Sequence, residues 1–317
     1  MSRVAVVFPG QGAQYVGMGR DLYERFPEAR ATFEEASQAA GFDVARLCFE
    51  GPEDQLQLTE FQQPALLTVG IACWRVLAAR GLEADMAAGL SLGEYGALVL
   101  AGVLDFADAV RVVRLRGRFM QEAVPPGQGA MAALLGLEAP QVEAICRELM
   151  AAGAGVVEPA NYNCPGQIVV AGERAAVEAA VERARAAGAR KAVVLPVSAP
   201  FHCRLMEPAA RRLAEVLAQV PFRPARVPVV ANVTAEPVTD PERIRELLVQ
   251  QVDHPVRWEQ SVRAMQAAGV TRLVEMGPGK TLSGFARRID RGLEAVAAGT
   301  AEEILGLVAS AEGGLLA

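Results

Sequence analysis

The sequence has few of the residues on which many functional sites depend. His202 and His254 are the only histidines among 317 residues, and Lys191 and Lys280 are the only lysines. The five cysteines are scattered, with no C-x-x-C pair, which argues against a zinc site or a disulfide framework. We therefore expect no metal and a reducing compartment, and any nucleophile that needs an imidazole base has only two candidates.

Long apolar runs and a strong net charge are also missing. No run approaches the roughly 18 residues that span a bilayer, and the apolar N-terminus is typical of a first strand rather than a signal peptide. The formal net charge of -6 argues against nonspecific nucleic-acid binding. With 52% hydrophobic and 21% charged residues, the chain can bury a sizeable core. We expect a soluble cytoplasmic protein without nucleic-acid or membrane partners.

Strand-like and helix-like segments alternate along the chain, which predicts an α/β fold with a parallel sheet. Residues 125–129, Pro-Pro-Gly-Gln-Gly, are the clearest boundary signal. The segments after it follow the order βαββαβ, which is typical of a ferredoxin-like module. We therefore predict a large α/β-hydrolase-like domain from residues 1–124 and 198–317, with a small ferredoxin-like subdomain at 125–197 inserted in it.

The stretch Gly89-Leu90-Ser91-Leu92-Gly93 has the Gly-x-Ser-x-Gly pattern of a nucleophile elbow. An apolar, strand-like run precedes it and a helix-like run follows it. Glycine on both sides of the serine permits a sharp turn where a side chain would collide with the neighbouring strand or helix. The pattern predicts Ser91 as a nucleophile at the carboxyl end of the sheet.

The nucleophile needs a base, because an unaided serine hydroxyl is barely ionised near neutral pH. His202 lies where a strand ends and a helix begins, which suits a catalytic side chain at a sheet edge. No acid stands at an obvious site to orient it, so a backbone carbonyl or a side-chain amide would do so. The alternative is a serine esterase or thioesterase with Ser91, Asp240 and His254, in the hydrolase order. For His254 we favour a cap or surface role.

Two further features concern anions. Gly10-Gln11-Gly12 follows the first strand, so a backbone N–H there and that of Leu92 are candidates for binding an oxyanion. Tyr15 replaces the third glycine of a dinucleotide-binding pattern, so NAD binding is not supported.

Arg116 lies near the apolar side of its predicted helix, whereas Arg111, Arg114 and Arg118 fit a solvated face. A partly buried arginine needs an anion, and a substrate carboxylate is a reasonable partner.

Taken together, these residues resemble the malonyl-CoA:acyl carrier protein transacylases over nearly the whole chain. The motifs that carry the resemblance occur in order as Phe8-Pro9-Gly10-Gln11-Gly12, Gln63-Pro64-Ala65, Gly89-Leu90-Ser91-Leu92-Gly93-Glu94-Tyr95, Arg116-Gly117, Asn161-Tyr162-Asn163-Cys164-Pro165-Gly166-Gln167, Pro200-Phe201-His202 and Glu275-Met276-Gly277-Pro278-Gly279. The resemblance implies ping-pong transfer of a malonyl group from malonyl-CoA to the pantetheine thiol of acyl carrier protein, which supplies fatty acid chain elongation.

The resemblance also implies roles for the catalytic residues. Ser91 would be the nucleophile that becomes malonylated, and His202 would be its base and later the acid for the leaving thiol. Gln251 would help to orient His202. The backbone N–H groups of Gln11 and Leu92 would form the oxyanion hole.

Other matching positions would contact the substrate. Arg116 would bind the malonyl carboxylate, and Asn161 and Asn163 would lie near the cleft between the lobes. Phe201 resembles the bulky residue of malonyl-selective members, which leaves little room for an α-methyl group. Leu90 is a departure, because the family usually has histidine before the nucleophile.

Acyl carrier protein is the implied macromolecular partner, no cofactor is implied, and we expect a monomer. Acyl carrier proteins are acidic, as this chain is, so docking requires a local basic patch. The candidate residues for this patch are Arg183, Arg185, Arg190, Lys191, Arg204, Arg287 and Arg288. A noncatalytic docking scaffold for a carrier protein is a third alternative, and it would need no reactive serine.

Overall fold

The computed structural model describes residues 3–197 and 199–310 and contains two sheets. The strands are β1 (Arg3–Phe8), β2 (Met86–Gly89), β3 (Gly129–Leu135), β4 (Val157–Cys164), β5 (Gln167–Glu173), β6 (Lys191–Val194), β7 (Val229–Val230), β8 (Pro237–Val238), β9 (Val270–Glu275) and β10 (Glu294–Ala297). The α-helices are α1 (Arg20–Arg25), α2 (Pro27–Ala40), α3 (Val44–Glu50), α4 (Glu53–Gln57), α5 (Thr59–Ala78), α6 (Gly93–Leu100), α7 (Phe106–Glu122), α8 (Ala139–Ala151), α9 (Arg174–Ala186), α10 (Glu207–Leu217), α11 (Pro241–Gln250), α12 (Trp258–Ala267), α13 (Thr281–Ile289) and α14 (Ala301–Ser310). A short 3-10 turn, Arg204–Met206, precedes α10.

The larger sheet has the strand order β10-β9-β1-β2-β7-β8, and its pairs are parallel except for β7 with β8. Alternate residues of β1 pack into two different hydrophobic cores. Val6 and Phe8 pack into the larger hydrophobic cluster, whereas Ala5 and Val7 pack into a second one on the opposite face. Both faces are therefore covered, as the apolar strands of a parallel sheet require. The carboxyl ends of β1 and β2 meet at one edge of this sheet.

The smaller sheet is antiparallel, with the order β4-β5-β3-β6 and with helices α8 and α9 packed on it. A βαββαβ chain that places its first and third strands in the centre has the ferredoxin-like arrangement. The prediction of an α/β fold with this second module is confirmed. Backbone hydrogen bonds from Val256 to Ala160 and from Tyr162 to Val256 connect this sheet to the segment before α12.

The predicted domain boundaries, 1–124 with 198–317 and 125–197, stay a prediction. All four strands of the smaller sheet fall within 125–197. Residue 198, where the large domain was predicted to resume, and residues 311–317 lie outside the described part of the chain. In that part, no helix is both long enough and apolar enough to cross a membrane.

Several details differ from the sequence prediction. The sequence predicts Asp105 as the cap of α7. Asp105 takes the N-cap position, but its carboxylate accepts hydrogen bonds from Arg223 rather than from the helix. The solvated-face prediction is wrong for Arg114, whose guanidinium lies over the rings of Phe42 and Phe61. A long arginine side chain can cover apolar neighbours while its head remains partly in water. Helical periodicity alone does not distinguish such a residue from a fully exposed one.

Candidate active site

The elbow turns as its glycines predict. Ser91 has a φ of 54°, a left-handed conformation that is strained for a serine and typical of functional sites. A Cβ on Gly89 would lie 1.9 Å from the carbonyl carbon of Gly93, and one on Gly93 would lie 2.0 Å from the carbonyl oxygen of Phe8. Only glycine fits at either position, so β1, β2 and α6 can approach closely enough to expose the serine between them.

His202 is the hydrogen-bond partner of Ser91. Its Nε2 lies 2.7 Å from Ser91 Oγ, and its Nδ1 lies 2.8 Å from the backbone carbonyl oxygen of Gln251. Because a carbonyl only accepts, Nδ1 carries the proton and Nε2 presents its lone pair to the serine hydroxyl. The sequence left open whether a backbone carbonyl or a side-chain amide orients His202. In the structure, the group bonded to Nδ1 is the backbone carbonyl of Gln251.

The electrostatic surroundings keep this histidine neutral. Burial and the nearby cation of Arg116 lower the pKa of His202 to about 3, against which the hydrogen bond to the Gln251 carbonyl acts only partly. A neutral imidazole is the form that accepts a proton, so His202 is in the protonation state that the predicted role as a base requires.

Arg116 is fully buried, with 0% of its surface exposed, and it contacts the nucleophile directly. Its Nη2 donates to Ser91 Oγ and to Gln251 Oε1, each at 3.0 Å, and its Nη1 donates to Gln63 Oε1 at 2.8 Å. All three acceptors are neutral, and no carboxylate in the described residues lies within ion-pair distance of this guanidinium. The buried cation beside the serine is therefore not neutralised by a carboxylate of the described chain.

The loop after β1 lies beside the elbow. Gly10 and Gln11 line the same cleft as Ser91, and a Cβ on Gly10 would lie 2.7 Å from the carbonyl oxygen of Leu90. No residue in the described part of the chain accepts a hydrogen bond from the backbone N–H of Gln11 or of Leu92. Two unused donors near a nucleophile are what an oxyanion hole requires, although their role as one stays a prediction.

The cleft in front of the nucleophile has a volume of about 1020 Å³. The predicted residues Asn161, Asn163 and Phe201 line it, together with Leu90. Asn163 Oδ1 is buried and has no hydrogen-bond partner among the described residues, so it is free to accept a donor from a ligand. Arg116 and Gln251 lie behind Ser91 rather than on the cleft surface. A cleft of this size accommodates an extended thioester arm.

Three polar residues at the site were not singled out as functional by the sequence. Asn232 bridges the elbow, because its Oδ1 accepts from Ser91 N at 2.6 Å and its Nδ2 donates to the carbonyl of Gly89 at 2.7 Å. Glu94 Oε2 accepts from Gln251 Nε2 at 2.7 Å, and Gln63 holds Arg116. Glu94 and Gln63 belong to motifs that carry the family resemblance, and this could have marked them as candidate site residues. Asn232 belongs to no such motif.

The residues of the esterase alternative do not assemble. Asp240 is exposed and caps α11 by accepting from Arg243 N at 2.8 Å. The side chain of His254 is 52% exposed and bonds to Asp253 and to the carbonyl of Gln250. His254 thus has the surface role that the sequence favoured, and neither residue contacts Ser91. Within 3–197 and 199–310, no cluster of His, Cys, Asp and Glu could hold a metal ion.

Comparison with known proteins gives a consistent result. The acyl transferase domain family model matches residues 5–315. The malonyl CoA-acyl carrier protein transacylase of Escherichia coli K12 is 51% identical over 290 residues, covering 91% of this chain and 93% of that protein. The transacylase of Bacillus subtilis 168 is 47% identical, with 96% of each chain covered.

Solved structures agree with the sequence relatives. An acyl carrier protein S-malonyltransferase from Vibrio cholerae superposes with a TM-score of 0.93 at 47% identity, covering 96% of this chain and 99% of that one. A malonyl-transacylase in complex with a type II PKS acyl-carrier protein gives 0.95 at 45% identity, covering 98% and 100%. The chain therefore belongs to the acyl transferase domain family, among the malonyl CoA-acyl carrier protein transacylases.

Proposed function

We propose that the protein transfers a malonyl group from malonyl-CoA to the pantetheine thiol of acyl carrier protein through a malonyl-serine intermediate, and so supplies fatty acid chain elongation. One observation carries the proposal. Ser91 Oγ lies 2.7 Å from a neutral imidazole and 3.0 Å from a buried guanidinium that forms no ion pair with a described carboxylate. The first contact activates an acyl acceptor, and the second favours an acyl group with its own negative charge.

The first half-reaction acylates the enzyme. Ser91 Oγ attacks the thioester carbonyl carbon while His202 Nε2 takes the hydroxyl proton. The carbonyl oxygen becomes an oxyanion, and the N–H groups of Gln11 and Leu92 stabilise it. When the intermediate collapses, the carbon–sulfur bond breaks and His202 returns its proton to the CoA sulfur. The products are malonyl-Ser91 and free CoA.

The second half-reaction reverses these roles with a different thiol. The pantetheine thiol of the carrier protein gives its proton to His202 Nε2 as its sulfur attacks the malonyl ester. Collapse then breaks the bond to Ser91 Oγ, which recovers a proton from His202. The proposed steps use side chains, backbone N–H groups and the two thiols.

Selectivity would come from the groups around the acyl chain. The malonyl carboxylate is one methylene away from the carbonyl under attack, so it would lie within reach of the Arg116 guanidinium beside Ser91 Oγ. Phe201 lines the cleft next to His202 and would disfavour an α-methyl group. One methyl group changes discrimination only about 10- to 200-fold, so the charge is the stronger filter.

The candidate basic residues divide by their partners. Arg183, Arg185 and Arg204 are neutralised in ion pairs with Glu148, Glu182 and Glu158. Residues 190, 191, 287 and 288 form no ion pair with any residue that the structure describes. Of these, Arg288 donates to Gln167 Oε1, and Gln167 lines the cleft.

Two members of this group, Lys191 and Arg288, lie near Gln167, which lines the cleft. Lys191 and Gln167 flank Leu135 from the two strands beside β3. An acidic carrier protein would dock here with its pantetheine arm directed into the cleft. Arg288→Ala should raise the KM for acyl carrier protein, whereas Arg183→Ala, which removes a cation already paired with Glu148, should raise it less.

Mass spectrometry of the intact protein after mixing with malonyl-CoA alone tests the function. A persistent malonyl adduct on Ser91, which disappears when holo acyl carrier protein is added, supports transfer. Free malonate released without an adduct would favour hydrolysis, and the absence of any reaction would favour a docking scaffold. Ser91→Ala should abolish the adduct.

The role of Arg116 is tested by competition between malonyl-CoA and acetyl-CoA. Arg116→Ala should lose the preference for malonyl, because the carboxylate no longer meets a buried cation. Arg111→Ala is the matched control, since Arg111 lies on the exposed side of the same helix and pairs with Asp108. An unchanged preference in Arg116→Ala would contradict the proposed role.

A further inference from the structure

A second buried charge lies behind the nucleophile, on the first turn of α6. Glu94 is only 2% exposed and does not line the cleft. Its Oε2 accepts from Gln251 Nε2 at 2.7 Å and from the backbone N–H of Asn232 at 3.1 Å. The reaction steps proposed above do not use this carboxyl group, although it bonds to two residues that touch Ser91.

The amide of Gln251 connects Glu94 to the reacting groups. Its Nε2 donates to Glu94 Oε2 and also, at 3.0 Å, to the carbonyl oxygen of Ser91. Its Oε1 accepts from Arg116 Nη2 at 3.0 Å. An ionised carboxylate only accepts and a guanidinium only donates, so a single orientation of the amide satisfies both neighbours. If the amide turned over, its oxygen would face a carboxylate and its NH₂ would face a cation.

We propose that Glu94 is a positioning residue, which fixes the orientation of the Gln251 amide and thereby holds Arg116 beside the nucleophile. The inference rests on the proposed function, because the property it controls is the selection of a carboxylated acyl group. Without an acceptor at position 94, the amide is free to rotate, and Arg116 loses one of the bonds that aim it at the acyl site. The loss should affect malonyl transfer more than acetyl transfer.

The ionisation of Glu94 supports the same mechanism. Burial raises its pKa to about 7, although Gln251, Asn232 and Arg116 favour the charged form. The charged or titratable groups around this network are Arg116 from α7, Tyr95 on α6 itself and His202 beyond Gln251. Burial raises the pKa of Tyr95 to about 12 and lowers that of His202 to about 3. Of these groups, therefore, only Glu94 changes its charge between about pH 5 and 8.

The first test removes the acceptor. Glu94→Leu should reduce the malonyl-to-acetyl ratio of Ser91 acylation by about tenfold to a hundredfold, the range expected for a lost charge-assisted hydrogen bond. Glu275→Leu is the matched control. Glu275 is also fully buried and accepts from the N–H groups of Leu282 and Ser283, but it does not contact Gln251. This control should lower thermal stability without changing the ratio.

The second test keeps the side-chain shape and applies if Glu94→Leu fails to fold. Glu94→Gln retains an acceptor oxygen but cannot ionise. In the wild type, the malonyl-to-acetyl ratio should fall as the pH drops below about 7, and in Glu94→Gln the ratio should be independent of pH from 5 to 8. A flat wild-type profile, an inflection that persists in Glu94→Gln, or a wild-type ratio in Glu94→Leu would overturn the assignment.

The two proposals fail in different ways. If the wild-type enzyme forms no malonyl adduct on Ser91, the proposed function is wrong. If the adduct forms with a preference for malonyl and that preference does not respond to position 94, only the role of Glu94 is wrong.

Discussion

The hydrogen bonds of Asn232 give a prediction about how the elbow is held. This side chain is 1% exposed and bonds to two main-chain groups of the turn, the N–H of Ser91 and the carbonyl of Gly89. Asn232→Ala removes both partners at once. Both hydrogen bonds are buried, so each group would be left without its partner.

The expected cost follows from the number of orphaned groups. A buried donor or acceptor that loses its partner costs about 1–3 kcal/mol, so two such groups cost roughly 2–6 kcal/mol. Native proteins are stable by only about 5–15 kcal/mol, so the variant should lose a large fraction of its stability.

Urea unfolding followed by circular dichroism measures these differences. Thr234→Ala is the control in the same loop, since Thr234 Oγ1 accepts only one bond, at 3.3 Å, from Glu236 N. It should cost less than about 1 kcal/mol. If Asn232→Ala is within about 1 kcal/mol of the wild type, the bonds of this amide do not hold the strained turn, and the reasoning is refuted.

Three other outcomes follow from the geometry. His254→Ala should retain nearly full acylation by malonyl-CoA in the mass assay, because its side chain is half exposed and bonds to Asp253 and Gln250 rather than to Ser91. Gly93→Ala should not yield folded protein by circular dichroism, since its Cβ would lie 2.0 Å from the backbone of β1, whereas Gly284→Ala, with open space around it, should fold normally. The pKa of Glu94 is raised to about 7, so its contribution to stability is present below pH 4.5 and is lost as the pH rises through 7. Glu94→Gln should therefore be relatively more stable at pH 8 than at pH 5, by roughly 3 kcal/mol in urea unfolding, and an equal difference at both pH values would contradict this.

The parts of the site that sequence could predict are those with local causes. The two glycines around Ser91 are required by contacts within and beside a single turn, so the pattern itself reports them. With only two histidines in the chain, the choice of base was a test between two positions. Helical periodicity placed Arg116 near the apolar side of its helix and so predicted a partly buried residue. In the structure Arg116 is fully buried.

The site residues that the sequence did not reveal depend on contacts between residues that are far apart in the sequence. Asn232 lies 141 positions from Ser91, in a loop with no motif, and its importance comes only from the sheet edge that brings them together. Glu94 looked like an ordinary first-turn acid of a helix, where an exposed carboxylate would be unremarkable. The elements α3, α4, β10 and α14 were not predicted. The first three have only 7, 5 and 4 residues, too few to establish a period.

The carbonyl behind His202 is explained by the charge next to it. A carboxylate at that position would raise the basicity of the imidazole, but it would also offer a partner to the buried Arg116 and weaken its attraction for a substrate carboxylate. The carbonyl of Gln251 orients the ring without adding charge. An orienting carboxylate is little needed, because a thiol, with a pKa of about 8.5, leaves readily in the first half-reaction and gives up its proton readily in the second. The chemistry of thioesters therefore allows the site to leave the charge of Arg116 without a carboxylate partner, as its proposed role in recognising the acyl group requires.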